Sequence, residues 1–542
     1  MAAVDRVQRL AEALTQLQAG AWRSAELAAK AALDTDPDDI EAMVLLGLAI
    51  AAGGEATRAA VIMDRVARAR PDFDHPCLDL ARLQPSLPRR VIERQFQACL
   101  RLGPENHRLR LGFASYLLDN DGATEAVTLL RDGPDTPQAN HLRGMAQAEA
   151  GMFDRAIRSF RSVIAADPRP AEAWANLGMM LKVEDRFDEA ITAYDEAVVR
   201  APRDARIRVN RAVALLRAGR WQEAWGDYEW RLRLPERRGL PLSALLPAVD
   251  ALDDLHGVTI LATHEEGFGD TLQFMRYLPL LAERGARVLA WVPRQLARVT
   301  ATLPGVAVLT GSDPVPDYDF HCPMLSLPRA FETSVATIPA APYLAPDPAR
   351  VAAWGGQLPS DGFRIGIVWA GQARPWQPGF NTVDRRRSVH LGLFSPLAAI
   401  PGVTLVSLQS GSAGRHAQSP PPGMTIIDAM TGVEDFADTA AIIANLDLVI
   451  SVDTAVVHLA GAMGRPVFML DRYDNCWRWL SGRADSPWYP SLTIFRQHRI
   501  HDWSAAMTRV VAAVEALVAF RGPPAPATRG RPSRMRALAN AA

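Results

Sequence analysis

Cysteine and lysine are scarce in this sequence, and both scarcities narrow what the protein can be. The chain has 542 residues and four cysteines, none of which forms a CxxC pair with another. This spacing argues against a zinc knuckle and against a disulfide framework, and it fits a reducing cytoplasm. Only Lys30 and Lys182 are lysines, so arginine supplies the remaining basic charge. We attribute the abundance of arginine to coding bias, so it does not by itself indicate phosphate binding.

Net charge and long apolar runs are lacking as well. The formal net charge is −1, and 49% of the residues are hydrophobic. This balance predicts a globular chain with no bias toward nucleic acid or membrane surfaces. No uncharged apolar run reaches the roughly 18 residues that a membrane span needs, and the first residues resemble an amphipathic helix rather than a signal peptide. We expect a cytoplasmic protein of about three domains, with no membrane span and no nucleic-acid partner.

Prolines recur at a nearly constant interval through the first part of the chain. Intervals of 30 to 34 residues separate the prolines at positions 37, 71, 104, 134, 168, 202 and 235. A period near 34 is typical of the tetratricopeptide repeat, a helix–turn–helix unit. The clearest copy carries the small and large residues of that repeat: Trp174, Leu177, Gly178, Ala190, Tyr194, Ala197 and Pro202. The sequence therefore predicts about seven repeats, stacked as an α-helical superhelix over residues 1–235.

Two asparagines occupy the same position in successive repeats. Asn176 and Asn210 are 34 residues apart, each on the predicted first helix of its copy. An amide side chain offers both a donor and an acceptor to a peptide backbone without reading its sequence. The pair resembles the asparagine ladder of tetratricopeptide-fused O-GlcNAc transferases, which implies that Asn176 and Asn210 bind an acceptor protein. The alternative is that both are ordinary polar residues of a groove.

A different architecture follows the repeats. Residues 236–256 read as a linker, and short apolar runs then alternate with helices over 257–350 and again over 361–500. Such alternation predicts two doubly wound parallel sheets, which bind ligands at the carboxyl ends of their strands. Two Rossmann-like domains in tandem resemble the α/β GT-B fold of glycosyltransferases, which some epimerases and phosphorylases share. A helix over 501–520 and a disordered tail over 521–542 complete the predicted organisation.

The stretch SVDTAVVHLAGAMGRP, residues 451–466, joins a predicted buried strand to a small-residue helix. The amino end of that helix is a ready site for an anion. The stretch resembles the donor site of family 9 (heptosyltransferase) glycosyltransferases, whose pattern is Asp-Ser/Thr-Gly-x-x-His, although alanine replaces the glycine here. The resemblance implies that Asp453, Thr454, Ala455 and His458 bind the donor. It also implies that His458 contributes to catalysis. The alternative is that the aspartate and threonine only cap the helix.

The first sheet has a counterpart in EEGFGDTLQF, residues 265–274. Its Gly269 and Asp270 fall at the first predicted strand-to-helix turn, where the same family carries a Gly-Asp pair. The resemblance implies that Gly269 lies beside the donor and that Asp270 is the general base. Such a base would take the proton of an attacking hydroxyl. The alternative is that Asp270 caps its helix.

An arginine run follows the first strand of the second sheet. Arg385, Arg386 and Arg387 precede Ser388, and in related transferases a basic residue of this loop contacts the donor phosphates. A guanidinium fork suits that task, and we favour Arg387 as a catalytic residue because tetratricopeptide-linked members carry an Arg-Ser pair here. The other candidates on the donor side are Gly371, Arg385, Ser388 and Gln409. Trp479 is a candidate for acceptor binding, with burial in the core as its alternative.

These resemblances imply a metal-independent glycosyltransferase with no cofactor. Asp317 and Asp319 form a DxD pair, the metal motif of the other transferase fold, and we reject it because GT-B enzymes do not need a divalent metal. The joint arrangement resembles bacterial tetratricopeptide-fused protein glycosyltransferases, including enzymes that modify flagellin. We expect transfer of a sugar from a nucleotide sugar, such as CMP-nonulosonic (pseudaminic-type) acid or a UDP-sugar, to serine or threonine of a recruited protein, plausibly flagellin. A carbohydrate or lipopolysaccharide acceptor and a scaffold with an inactive transferase half remain alternatives. The donor, the stereochemical outcome and the oligomeric state stay open.

Overall fold

The computed structural model describes residues 2–72, 74–83, 87–235, 239–252, 254–311, 313–372, 378–500 and 502–521. The chain divides into two compact units, residues 1–184 and 185–542. Most of the predicted tail lies outside the described residues, as do parts of the predicted linker. The predicted domain limits therefore stay predictions.

The first unit is entirely helical over the residues that are described. Its helices are α1 (Ala2–Gln18), α2 (Trp22–Leu33), α3 (Ile40–Ala52), α4 (Ala56–Ala69), α5 (Cys77–Leu83), α6 (Arg89–Leu102), α7 (His107–Asp119), α8 (Ala123–Leu130), α9 (Pro137–Glu149), α10 (Phe153–Ala166) and α11 (Ala171–Val183). Helices pair because small residues face large ones: a Cβ at Gly144 would lie 2.8 Å from the Phe160 ring. Ala156 and Phe160 are fully buried, which is the packing that the repeat pattern predicts.

The second unit begins with the last repeat helices, α12 (Phe187–Arg200), α13 (Ala205–Arg217) and α14 (Trp221–Tyr228). They share a core with the α/β part of the same unit. Trp221 stacks on Trp488 with ring centroids 5.3 Å apart, and the Trp225 indole donates to the Thr333 carbonyl at 2.8 Å. These helices are therefore an integral layer of the second unit.

A buried ion pair strengthens the same junction. The Arg231 guanidinium donates to both carboxylate oxygens of Glu265 at 3.0 and 2.9 Å and to the Ser326 hydroxyl at 2.7 Å. Arg231 and Glu265 are both buried, so removal of either side chain would break a buried, hydrogen-bonded ion pair, which is destabilising.

The α/β part contains two parallel sheets. Its elements are β1 (Thr259–Thr263), α15 (Phe268–Phe274), α16 (Leu278–Glu283), β2 (Arg287–Trp291), α17 (Arg294–Thr300), β3 (Val306–Leu309), β4 (Phe320–Pro323), α18 (Leu327–Ala330), α19 (Pro348–Gly355), β5 (Phe363–Val368), α20 (Pro378–Arg387), α21 (Ser395–Ala398), β6 (Val403–Ser407), β7 (Ile426–Asp428), α22 (Phe436–Ala444), β8 (Leu448–Val452), α23 (Ala455–Ala462), β9 (Val467–Asp471), β10 (Leu492–Arg496) and α24 (Trp503–Arg521). Strand order is β3-β2-β1-β4 in the first sheet and β10-β9-β8-β5-β6-β7 in the second. Every strand pair is parallel, for example β5 with β8 and β1 with β4. The predicted fold class, helical repeats followed by an α/β part with parallel sheets, is confirmed.

Helix α24 is the one described helix that is long and apolar enough to cross a membrane, judged by length and composition alone. The core helix of a globular domain passes the same test. Ala506, Met507, Val510 and Val514 on one face of α24 are buried in the core beneath the second sheet. These four residues attach one face of α24 to that core, and the absence of a membrane span stays a prediction.

Candidate active site

Strand order places the two predicted glycine and aspartate segments at the switch points of their sheets. In the second sheet the chain leaves β5 toward β6 and later returns to its other side as β8. In the first sheet β1 lies between β2 and β4 in the same manner. Open α/β sheets bind ligands at the carboxyl ends of strands where such a reversal occurs. The segments after β1, β5 and β8 are therefore the candidate ligand-binding segments.

The segment after β8 presents an open helix start. Thr454 is the N-cap of α23 with extended backbone angles, φ −138° and ψ 172°, and no side chain caps the helix. The Thr454 hydroxyl lies 3.0 Å from the Ser451 hydroxyl. Because the hydroxyl is turned to Ser451, the first N–H groups of α23 keep their capacity to bind an anion. The simple capping role that the sequence left open for Thr454 is not what the side chain does.

Arg387 is held against this helix start. Its Nη1 donates to the main-chain carbonyl of Asp453 at 2.8 Å, and its Nε and Nη2 donate to the Asp384 carboxylate at 3.1 and 3.0 Å. A guanidinium has five N–H groups, so two remain beyond these three bonds. The Asp453 carboxylate has no hydrogen-bond or ion-pair partner within the described ranges. Arg387 and α23 thus converge on one point at the edge of the second sheet.

Gly371 completes this arrangement after β5. A Cβ at this position would overlap the Asp384 carboxylate and lie 2.6 Å from Arg387 Nε. The Gly371 N–H donates to the Ser388 hydroxyl at 3.0 Å. The predicted residues Gly371, Arg387 and Ser388 are therefore brought together, and only glycine leaves room for the Arg387 guanidinium.

The three arginines of the run point in different directions. Arg385 is exposed, Arg386 forms an ion pair with Asp474 at 3.0 Å, and Arg387 turns inward. This is the outcome that crowding of consecutive side chains requires. A donor contact by Arg385 stays a prediction.

Gln409 has a structural role that the sequence did not indicate. Its Oε1 accepts from the N–H groups of Trp369 and Ala370 at 3.0 and 2.8 Å, and its Nε2 donates to the carbonyls of Ala370 and Ser410 at 3.0 Å each. The side chain therefore ties the end of β6 to the end of β5. A donor contact by Gln409 would require an exchange of these bonds, and it stays a prediction.

On the first sheet, Asp270 lies in the first turn of α15 with both carboxylate oxygens occupied. Its Oδ2 accepts from the Gly267 N–H at 2.9 Å, and its Oδ1 accepts from Arg478 Nη2 at 2.5 Å. The first bond is the helix-capping contact that the sequence left open as an alternative. The carboxylate side chain keeps 19% of its surface exposed, so a further lone pair can still face a ligand. The role of general base stays a prediction.

Gly269 and His458 join the two sheets. A Cβ at Gly269 would lie 2.8 Å from His458 Cδ2 and 3.5 Å from the Cα of Ala455. Helix α15 can approach α23 this closely only because Gly269 has no side chain. The two predicted segments are thus in direct contact.

His458 is a buried, neutral group. Its Nδ1 is hydrogen-bonded to the Tyr489 hydroxyl at 3.0 Å, and its ring stacks on Trp479 with centroids 5.3 Å apart. Burial lowers the pKa of His458 to about 4, so the ring carries no charge at neutral pH. His458 therefore supports the α15–α23 contact, and a catalytic role for it stays a prediction.

Arg478 is a residue that the sequence reasoning missed. It is buried, and besides its bond to Asp270 it donates from Nε to the Gln273 amide oxygen at 2.8 Å. Its guanidinium lies 4.7 Å from the Trp477 ring centroid. The motif WRWL holds this arginine between two tryptophans, and a buried arginine in an aromatic pair is a signal that could have been used.

The remaining predicted residues are one tryptophan, two asparagines of the repeats and the DxD pair. Trp479 is fully buried, so its packing favours the core alternative over acceptor binding. Asn176 on α11 is partly exposed, with Nδ2 4.0 Å from Met145 Sδ, and Asn210 on α13 is also partly exposed. The Asp319 carboxylate accepts from the Thr259 N–H at 2.8 Å, at the amino end of β1 and away from the carboxyl edge.

Two protein families match parts of the chain. The tetratricopeptide repeat matches residues 10–72, 141–181 and 182–229. Glycosyltransferase family 9 (heptosyltransferase) matches residues 422–512. The second match contains Asp453, Thr454, His458 and Arg478, whereas Asp270 and Arg387 lie before it.

Individual proteins also resemble parts of the chain. Protein FlbA of Caulobacter vibrioides is 30% identical over 323 residues, which is 55% of this chain and 52% of FlbA, so the chain spans about half the length of that curated relative. A family 9 glycosyl transferase from Veillonella parvula is 11% identical, covers 49% of this chain and 99% of its own, and has a TM-score of 0.36. The crystal structure of MamA is 21% identical, covers 29% of this chain and 92% of the MamA chain, and has a TM-score of 0.27.

The family matches and the parallel sheets agree with one another. The chain carries tetratricopeptide repeats followed by a glycosyltransferase domain of family 9. That part of the prediction is confirmed.

Proposed function

We propose that this chain transfers a sugar from a nucleotide-sugar donor to a serine or threonine hydroxyl of a protein that its repeats recruit. The observation that carries the proposal is the position of Arg387 at the open start of α23. A guanidinium and a helix amino terminus together favour a phosphate dianion. Negative charge grows on the donor phosphates as the sugar leaves, so groups already aimed at that point lower the barrier.

Asp270 is the group we assign to the acceptor hydroxyl. Removal of the hydroxyl proton during attack is worth about 10²–10⁴-fold in rate. Arg478 holds the carboxylate through Oδ1, and the close contact of Gly269 with His458 fixes α15 against the donor-side helix. Arg478 is therefore a positioning residue in this proposal, because it acts through Asp270.

Recruitment of a protein acceptor is supported by the repeats themselves. Stacked helical repeats form extended binding surfaces, and Asn176 and Asn210 are partly exposed. Flagellin is the acceptor that we propose, on the resemblance to tetratricopeptide-fused flagellin-modifying enzymes. The donor that we propose is CMP-nonulosonic acid, with a UDP-sugar as the next candidate.

Mass spectrometry of the acceptor tests this function. Purified chain is incubated with flagellin and a panel of CMP-, UDP-, GDP- and ADP-sugars, and the intact mass of flagellin is measured. We expect a mass gain of one or more sugar residues with one donor class. Arg387→Ala should abolish the gain, while the matched control Arg287→Ala, an exposed residue at the amino end of β2, should retain it. No gain with any donor would contradict the proposal.

A carbohydrate acceptor is a second candidate, because the matching family is described by its heptosyltransferases. The two candidates differ in their need for the first unit. A chain without residues 1–184 should still glycosylate a carbohydrate acceptor, whereas transfer to a protein should fall with the loss of those repeats. Transfer to a carbohydrate acceptor by both the full and the shortened chain, with no transfer to flagellin by either, would favour the second candidate.

A further inference from the structure

A cluster of metal-binding side chains lies in the first unit, apart from the transferase domain. His75 precedes α5, Cys77 is the first residue of α5, and Cys99 lies on α6. One ligand atom from each of the three lies within 4.8 Å of the others. All three residues are buried. Three polarisable donors at such distances can bind one ion without a change of fold.

The side chains of Gln95 and Met63 lie beside Cys99. The Gln95 amide nitrogen lies 3.2 Å from Cys99 Sγ and 3.5 Å from Met63 Sδ. Cys99 Sγ and Met63 Sδ are 3.9 Å apart. Gln95 is fully buried, and its Oε1 has no hydrogen-bond partner. A buried amide oxygen without a hydrogen-bond partner is destabilising. The unpartnered Gln95 oxygen is therefore an independent sign that the cluster holds a ligand.

We propose that His75, Cys77 and Cys99 bind a single Zn²⁺ ion, with the Gln95 amide oxygen as the fourth ligand. Thiolate sulfur and imidazole nitrogen are the ligands that zinc prefers. A half-turn of the Gln95 amide places Oε1 where Nε2 now lies, beside Cys99, and so gives the unpartnered oxygen a bond. Met63 remains a soft neighbour of the site.

Charge distinguishes zinc from a monovalent soft metal. Two thiolates balance the two positive charges of Zn²⁺, and imidazole and amide add none. Cu⁺ in the same position would leave a net negative charge, which a buried site disfavours. The neutral assembly is the one that burial of all its ligands permits.

The binding step conserves charge and oxidation state. Cys77 and Cys99 each lose a thiol proton as the metal–sulfur bonds form, so two protons are released for each zinc ion. The nitrogen that we assign is His75 Nδ1, which now accepts a weak hydrogen bond of 3.2 Å from the Cys77 N–H. That bond is lost when Nδ1 binds the metal.

The location gives the site a structural purpose. Helix α5 has seven residues, whereas α4 and α6 have 14 each. A short helix buries less apolar surface against its neighbours, and a metal clip compensates for that loss. The absence of a CxxC pair does not exclude this site, because 21 residues lie between Cys77 and Cys99 in the sequence.

Metal titration of the full chain tests the site independently of any transferase activity. Chain stripped with chelator and kept reduced is titrated with Zn²⁺ against a chromophoric chelator, and separately with Co²⁺. We expect one ion per chain, release of two protons, and thiolate-to-cobalt charge-transfer bands with visible bands of tetrahedral cobalt. Elemental analysis of freshly purified chain should find zinc.

Cysteine variants provide the matched control. Cys99→Ser and His75→Gln should weaken zinc binding at least by the roughly 10–100-fold that loss of a supporting residue costs. Cys322→Ser, which replaces a cysteine that is equally buried in the other unit, should leave the affinity unchanged. The cobalt spectrum of the unaltered chain does not depend on whether a variant folds. Copper in place of zinc, no cobalt–thiolate band, or a disulfide between Cys77 and Cys99 in the purified chain would overturn the proposal.

Discussion

Gly269→Ala is the substitution with the most direct structural consequence for the candidate site. The added methyl carbon would lie 2.8 Å from His458 Cδ2, and ordinary contact begins at 3.4 Å. Because His458 is buried between Trp479 and Tyr489, its ring has little room to retreat. We expect α15 to move away from α23 by roughly 0.6 Å, at a cost of about 1–3 kcal/mol of stability from overpacking.

The same change should also lower activity. Asp270 follows Gly269 directly, so its carboxylate shifts with the helix away from the donor-side residues. Misplacement of a catalytic group by about 1 Å can cost 10²-fold in rate, and we expect kcat/KM to fall by about 10–100-fold. The assay is transfer to the acceptor, with thermal unfolding measured in parallel. A matched control is Gly311→Ala, where an added methyl meets no neighbour. Full activity of Gly269→Ala would refute the claim that this contact sets the geometry of the site.

Three further predictions follow from the second unit. Arg478→Met should lower kcat more than it raises KM, because the Asp270 carboxylate loses its 2.5 Å partner. Arg478→Lys should recover part of that loss. Equal activity in the unaltered chain and in both variants would contradict a positioning role for Arg478. Burial holds the pKa of His458 near 4, below the usual value of about 6.5. The unfolded chain therefore binds the proton first as the pH falls, so the stability of the folded chain decreases from about pH 6.5 toward pH 4. The melting temperature of His458→Gln should fall less over this range than that of the unaltered chain. Deletion of residues 1–184 should leave a chain that unfolds cooperatively. Deletion of residues 1–235 also removes Trp221 and Arg231 from the core, so it should give an aggregated product. Gel filtration and calorimetry distinguish these outcomes.

Periodic features of the structure could be predicted because they are local. The 34-residue interval and the contact of Gly144 with Phe160 both arise from one repeated packing rule. Alternating apolar runs likewise gave the parallel sheets, since β8 is buried throughout. The join between β8 and α23 followed from the same reasoning.

Long-range pairings were not accessible in the same way. Gln409 is 40 and 39 residues from Trp369 and Ala370, whose backbone groups it binds, and Arg478 is 208 residues from Asp270. Nothing local distinguishes a glutamine that reaches a ligand from one that ties two strands together. The His75, Cys77 and Cys99 cluster is hidden for the same reason, because two of its members meet only when α5 and α6 pack.

Aromatic residues show a further limit. Trp477, Trp479 and Trp488 have the size and polarity of a sugar-binding surface, yet all three are buried. The last repeat supplies the explanation, since Trp221 contacts both Trp477 and Trp488. A prediction made for the transferase domain alone could not include a layer contributed by the repeats.

Titration calorimetry with nucleotides tests the central claim most directly. The full chain is titrated with cytidine, uridine, guanosine and adenosine phosphates, and then the Arg387→Ala and Arg287→Ala chains with whichever nucleotide binds. The account predicts binding of at least one nucleotide, lost in Arg387→Ala and preserved in Arg287→Ala. Absence of binding with all four nucleotides, or unchanged binding in Arg387→Ala, would contradict the assignment of the α23 start and Arg387 as the phosphate site.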